Sequence, residues 1–543
     1  MQTDPHPASD ESDESELQST GLSRQTLTRM AIGLIVIGLL WRIVRYLLAF
    51  PIWGDEAMLG LNFVWYDYGQ LTTRLDHAQV APLLFLWGER AAFTALGPGE
   101  LSMRLLPFLA GTASLALFWR LATLLLTPLG RLLAVGFFAV AIWPVSMSTF
   151  MKPYALDLFM SLALLVPAVH WLQRPERLRW LIALAFVAPV AMLSSYPAVF
   201  VAGGVSLALA QPIWKSGWKG RGWFAVYNLL MLGGFITAFI VGRNQLATPA
   251  FNVNTQLGMA DYWRDAFPPA SPLAAIAWFF LQIAGEMTAY PAGASNGGSI
   301  VTFTFFVVGI VIWMRGRRWT GLILFLAPIL LNLVAAIFQR YPFGDSGRVC
   351  QHLGPGICIL AGLGAATVIL RARMTPLKRK RVIITLAAVF ALLGIGGMVR
   401  DAIKPYRDMG VQWSRSTMKA IRAKVPAKDR VVICGKPIEI EIVMSWHWAN
   451  EGERVTWDYE LPALTAEERI WGFAAGTEES TDAAGQRLLQ ALSAGETKWK
   501  LVERMVYLYL PQGKGWPQRY ELFCFSRVGA EVEHHPGRVV LEG

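Results

Sequence analysis

From residue 29 to residue 400 the chain alternates long apolar runs with short polar breaks. A bilayer core takes about 20 apolar residues per helix. Runs of that length predict about eleven membrane spans, near 29–50, 102–124, 129–149, 153–172, 179–195, 197–213, 222–242, 299–315, 319–338, 349–370 and 382–400. The shortest break lies in "MLSSYPAVF". Two further apolar stretches, "PLLFLWGERAAFTAL" and "PLAAIAWFFLQIAGEM", are too short and too charged to span. They are expected as amphipathic helices, lying in the interface or covering the bundle as ordinary loop helices. After Arg400 the period changes. "RVVICGKPIEIEIVMSWHW", "KWKLVERMVYLYLP" and "RYELFCFSRV" alternate like strands, while "TAEERIWGFAAG" and "DAAGQRLLQALSAG" read as helix. The expected fold is a polytopic α-helical membrane protein with a small C-terminal extracytoplasmic α/β domain over 401–543.

Composition agrees with that pattern. Of 543 residues, 54% are hydrophobic and only 16% are charged, too few to cover a soluble protein of this size. The 22 Trp suit a membrane–water interface. The net charge of +11 raises nucleic acid as a partner, but the basic residues argue otherwise. They cluster in "LQRPERLRW", "WKSGWKGRG", "RGRRW" and "RARMTPLKRKR", which are alternate short loops. The positive-inside rule places those loops in the cytoplasm. The N-terminus is then inside. Segments 51–101 and 243–298, the "MSTFMKP" and "QRYPFGDSGR" turns and everything after Arg400 are then outside. The polar, acidic residues 1–28 lack the features of a signal peptide and read as a disordered cytoplasmic tail.

Four Cys are too few for a disulfide scaffold. Cys350 and Cys358 stand about two helical turns apart, roughly 12 Å along an axis, too far to bond. For Cys434 and Cys524 a disulfide and two buried thiols both remain open.

The candidate chemistry gathers at outer span ends. "AFPIWGDEAMLGLNFVWYDYG" puts Asp55 and Glu56 side by side among Trp53, Trp65 and Tyr66. There a carboxylate is costly unless hydrated or paired. The pair could mark a helix end, bind a cation or supply a general base. "LDHAQVAPLLFL" contributes Asp76, His77 and Gln79, and "MKPYALDLF" contributes Lys152, Tyr154 and Asp157, with Asp157 about one turn inside its span. "RYPFGDSGRVCQHLGPG" contributes Arg340, Asp345, Arg348 and His352. Arg42 and Arg45 share a helix face in the first span, placed either to snorkel to headgroups or to hold a lipid phosphate.

The ordered set "W-DE-A", "Q-x-AP-L-FL", "ELSMRLLPFLAGTASLALFWRLA", "KPYALD" and "YPFG...R" resembles the GT-C membrane glycosyltransferases. Over residues 30–400 it looks most like the family 39 branch, with the protein O-mannosyltransferases and lipid A aminoarabinose transferases. The resemblance implies a multi-pass protein of the cytoplasmic (inner) membrane whose active site faces outward. It implies a polyprenyl-phosphate sugar donor reached from the membrane lipids, and a protein, lipid or glycan acceptor. Asp55 matches the catalytic carboxylate of the first outer loop, and Asp157 the second acidic position. Two charges common in relatives are missing: Phe150 and Met151 precede "KPY", and Gln79 stands in "AQVAPL".

Polyprenyl phosphate leaves as an anion, so the reaction needs a base at the acceptor hydroxyl and positive charge at the phosphate. The sequence-level assignment is Asp55 as base, with Glu56 and Asp157 tuning it or orienting the acceptor. Lys152 and Arg348 face the phosphate, helped by Arg45. Gln79, His77 and Tyr154 face sugar and acceptor, and Trp53 and Trp65 either stack on sugar or anchor at the interface. The sequence points to no particular cofactor. A divalent metal ion stays open, since Asp55, Glu56, Asp157, His77 and His352 offer suitable ligand types in no fixed spacing. The competing classes are a lipid or polysaccharide flippase and a polysaccharide polymerase or ligase.

Overall fold

The computed structural model describes residues 16–73, 75–77, 79–97, 99–246, 263–294, 297–407, 409–426, 429–434, 446, 455–457, 469–494, 498–509, 518–528 and 539–540. The chain divides into two compact units: residues 1–48, 67–97 and 101–403, and residues 49–66, 98–100 and 404–543. In chain order the helices are α1 (Arg24–Leu47), α2 (Gly54–Trp65), α3 (Leu83–Leu96), α4 (Leu105–Leu125), α5 (Pro128–Ala139), α6 (Ile142–Met147), α7 (Tyr154–Gln173) and α8 (Arg179–Ser194). They continue with α9 (Ala198–Lys215), α10 (Trp218–Leu246), α11 (Pro272–Gln282), α12 (Ser299–Arg315), α13 (Trp319–Ile337), α14 (Gly354–Arg371), α15 (Pro376–Ile403), α16 (Met409–Lys424) and α17 (Glu478–Leu492).

The first unit is a helical membrane bundle. Among the described residues, eight of its helical segments are long and apolar enough to cross a membrane, and the shorter apolar helices α5, α8 and α12 occupy the remaining predicted spans. The predicted span at 129–149 is split: α5 ends at Ala139 and α6 begins at Ile142. Both interfacial stretches are helical, as α3 and as α11 followed by a π turn at Ile283–Met287. Helix α7 and the 351–371 segment are 83% and 78% buried, against 17% for α10, so these two form the centre and α10 lies at the lipid-facing edge.

Small residues set the closest helix approach. A Cβ on Gly364 would meet the Phe305 carbonyl oxygen, and one on Gly309 the Leu360 carbonyl oxygen at 2.1 Å, so α12 and α14 touch backbone to backbone. Arg42 does not snorkel. It is fully buried, and its Nη1 donates to the carbonyls of Gly38 and Ala139, both at 2.9 Å. It thereby caps the end of α5 where the helix breaks.

The N-terminal tail needs correcting for part of its length. Residues 1–15 lie outside the described residues, but residues 16–20 form a helical turn. Glu16 Oε1 accepts from the Leu129 N–H at 2.7 Å, satisfying one of the unpaired donors at the start of α5, and Leu22 joins the bundle core. The segment is ordered because its acid caps a helix and its leucines find apolar partners.

The second unit carries a six-stranded mixed sheet. The strands are β1 (Arg430–Ile433), β2 (Val455–Trp457), β3 (Arg469–Gly476), β4 (Trp499–Tyr509), β5 (Gln518–Arg527) and β6 (Val539–Val540), in the order β2-β1-β3-β5-β4-β6. Helix α16 covers one face with Met418 and Ile421, and α17 covers the other with Ala484 and Leu488. One sequence expectation is overturned here: the "RIWGFAAG" part of "TAEERIWGFAAG" is strand β3, not helix. It pairs with β1 on one side and β5 on the other, and this two-sided pairing outweighs the local helical pattern. The expected strand over 435–445 lies outside the described residues.

Alternation along β5 also settles the cysteines. Cys524 packs on the α16 face and Cys434 on the α17 face, and all four cysteines are buried. Burial pushes the Cys524 thiol up to about 12. We expect N-ethylmaleimide to add four times to unreduced, denatured protein; two additions by intact mass would reveal a disulfide. We also expect Gly364→Leu to destabilise the bundle by about 1–3 kcal/mol or more, read as loss of monodisperse protein on mild heating in detergent.

Candidate active site

The site residues fall into two groups, one in each unit. In the second unit, α2 opens with the acidic pair. Its N-cap is Trp53, and Glu56 Oε2 accepts from the Trp53 N–H at 3.3 Å. Glu56 is 2% exposed, whereas Asp55 is half-buried. The two carboxyls therefore differ in situation: Glu56 at the third position closes the first turn, and Asp55 at the second is left more accessible. The Arg407 guanidinium lies over the Trp53 ring, 3.5 Å from its centroid. Arg415 Nη2 donates to the Ala49 carbonyl at 2.7 Å and to Glu100 at 2.6 Å. The strand-forming part of the chain thus supplies two arginines that hold the segment carrying Asp55. Trp65 is exposed at the far end of α2.

In the first unit, Gln79 is the connector. Its Nε2 donates to the His77 carbonyl at 3.1 Å, and its Oε1 accepts from Lys152 Nζ at 2.6 Å. That arrangement fixes the amide orientation and joins the 67–82 loop to the entrance of α7. Lys152 is 7% exposed, so its ammonium is held close to a neutral oxygen with little water around it. His77 sits in a left-handed turn (φ +56°), and burial lowers its pKa, opposed by neighbouring Asp76. Tyr154 stacks on Phe150 with ring centroids 6.3 Å apart. Asp157 follows one turn later, 2% exposed, in a helix that the membrane pattern places inside the bilayer. The Ser195 hydroxyl lies beside its carboxyl, although no hydrogen bond of good geometry forms between them.

Arg348 and Arg45 sit elsewhere in that unit. Arg348 is half-buried with its guanidinium 5.2 Å from the Trp263 ring centroid. Its turn is pinned by Glu286 Oε2, which accepts from the Gly347 N–H at 3.0 Å. Arg45 Nη1 pairs with Asp401 at 2.7 Å, and its Nε donates to Thr149 at 2.8 Å. Asp401 also accepts from the Trp41 indole at 2.8 Å, so Arg45 joins α1 to α15. Among the described residues no three His, Cys, Asp or Glu side chains converge as a metal ion would need.

Asp401, Gln245 and Glu286 were not among the residues that sequence reasoning singled out. Asp401 lies just past the expected end of the last span, and only the rule that intramembrane charge seeks a partner points to it. Gln245 is fully buried at the end of α10, accepting from the Ala81 N–H and donating to the Leu71 carbonyl, both at 3.1 Å. Glu286 stands in a stretch that reads as an interfacial helix.

Together these features define a polytopic α-helical membrane protein with a small α/β domain. The chain is similar in structure to ArnT from Cupriavidus metallidurans in the apo state, with TM-score 0.52 at 13% identity, over 91% of this chain and 98% of that one. ArnT from the same organism bound to undecaprenyl phosphate gives TM-score 0.50 at 12% identity, over 90% and 97%. The oligosaccharyltransferase of Archaeoglobus fulgidus tethered with an acceptor peptide gives 0.47 at 12%, over 92% and 74%. At such identities the likeness is one of fold alone. No family model matches the sequence, and no curated protein matches it.

We expect Glu56→Ala to loosen the start of α2, costing about 1 kcal/mol. Hydrogen exchange at residues 54–58 should rise about five-fold, while Glu56→Gln, which keeps the acceptor, should restore protection. Equal exchange in all three proteins would remove the capping role.

Proposed function

We propose that this protein is an inverting glycosyltransferase that moves a sugar from a polyprenyl phosphate to an acceptor hydroxyl on the outer face of the cytoplasmic membrane. The observation that carries the proposal is the entrance of α7. There Lys152 is buried against Gln79, one helical turn from the buried carboxyl of Asp157. A cation and a carboxylate kept at a bundle end suit a phosphate leaving group and a hydroxyl nucleophile better than they suit lipid contact. The fold likeness to a transferase that binds undecaprenyl phosphate supports the donor class.

In the proposed reaction Asp55 takes the acceptor O–H proton as the oxygen bonds to the anomeric carbon. The bond from that carbon to the phosphate oxygen breaks, and the electron pair leaves with polyprenyl phosphate. Attack comes from the face opposite the phosphate, so the anomeric configuration inverts. Lys152 and Arg348 bind the departing phosphate; the flat donor array of Arg348 suits two oxygens at once. Asp157 orients the acceptor, and Glu56 holds the helix that presents Asp55. Gln79 sets the position of Lys152, while His77 and Tyr154 line the approach. Arg45 acts through its pairing with Asp401 rather than at the sugar. The short basic loops support an orientation with the N-terminus in the cytoplasm and the sheet domain outside.

Asp55→Asn should lower transfer about 10²–10⁴-fold in proteoliposomes given a labelled polyprenyl-phosphate sugar. Lys152→Met should weaken it by at least about ten-fold, with partial recovery in Lys152→Arg. The natural product should appear by mass spectrometry of envelope glycolipids and glycoproteins with and without the gene. Full transfer by Asp55→Asn would overturn the base assignment. Loss of lipid translocation without loss of transfer would identify a flippase.

A further inference from the structure

His352 and Ser161 form a polar pair in the bundle that the transfer chemistry leaves unused. His352 is 2% exposed; the Val349 carbonyl lies within reach of its ring, but neither ring nitrogen makes a hydrogen bond of good geometry among the described residues. Buried polar atoms left unpaired are costly, and they are few in folded proteins. The Ser161 hydroxyl donates to the His352 carbonyl at 2.8 Å, fixing the start of the 351–371 segment against α7. The Phe200 and Tyr341 rings stand with centroids 5.7 and 6.0 Å from the imidazole and shield it.

Between α7, α9, α13 and α14 lies a cavity of about 10 Å³, with His352 and Ser161 as its polar walls and Leu165, Val201, Pro328 and Gly356 among its others. That is close to the least volume that holds one water. Polar side chains continue along α7. Asp157 precedes Ser161 by one turn on the same face. Its Oδ1 and the neighbouring Ser195 Oγ are also buried without a partner among the described residues. Tyr341 lies within electrostatic reach of Asp157 and stands edge-on to His352, so it borders both halves.

We propose that His352 and Ser161 form a built binding site for a single internal water. The water donates to the Ser161 oxygen and to the unprotonated imidazole nitrogen, or accepts from the imidazole N–H. His352 is then a positioning residue: its hydrated ring holds the 351–371 segment on α7 just below Asp157. The site does not depend on which group the protein transfers, so it stands or falls apart from the reaction proposed above.

A map of the full chain in a lipid nanodisc, at a resolution that shows ordered waters, should place water density within hydrogen-bond distance of a His352 nitrogen. A map that resolves other internal waters but none there overturns the site. His352→Leu gives a second readout through its sign. Removing a hydrated partner should lower the midpoint of thermal unfolding by about 2 °C or more, with His352→Asn recovering part of the loss. If His352→Leu instead raises the midpoint, the imidazole is a dry packing residue and the proposal fails.

Discussion

Hydrocarbon offers no hydrogen bonds, and most of this molecule answers to that one constraint. A polar group inside the bundle must find its partner in the protein. Arg42 spends its buried guanidinium on the carbonyls where α5 breaks. Arg45, Trp41 and Asp401 close a three-way contact between the first and last long helices of the bundle. Asp401 also pairs with Arg400 at 2.9 Å, so these helices share a network of charges rather than a single pair. The helices that carry these groups are therefore fixed relative to one another by more than apolar packing.

The same constraint gives the candidate site its character. Lys152 and Asp157 lie within five residues, at the point where the chain passes from a turn into the most buried helix of the bundle. Lys152 meets the neutral amide oxygen of Gln79, and Asp157 meets a serine hydroxyl without a well-formed bond. In the second unit the acidic pair is divided by position along α2, one carboxyl used by the helix and the other left more accessible. The arginines after residue 403 hold that segment from the sheet-bearing part of the chain, so two distant stretches of sequence cooperate in presenting Asp55.

Much of the fold was legible. Every predicted span but the split one at 129–149 coincides with a single helix, because about twenty apolar residues with few charges admit little else in a membrane. Helices α3 and α11 were readable, from their length and charge, as helices too short to span, and strands β4 and β5 from their alternation. The errors have physical causes. "RIWGFAAG" carries a helix-like pattern, but it is the central strand between β1 and β5, and pairing on both edges decided it. Residues 16–28 look like tail by composition, yet Glu16 finds the open start of α5, a partner no window of local sequence contains.

The sequence by itself determined the class of solvent, the number of apolar segments and the chemical types at their ends, because these follow from hydropathy, length and charge along one dimension. Only the tertiary structure decided how those types are used. It made Glu56 a cap and left Asp55 more open, joined Gln79 to Lys152 across 73 residues, and drew Arg45 away toward Asp401. It also set Cys434 and Cys524 on opposite faces of one sheet. Each of these depends on which atoms come within about 3 Å of one another after folding, and residue spacing along a chain does not contain that information.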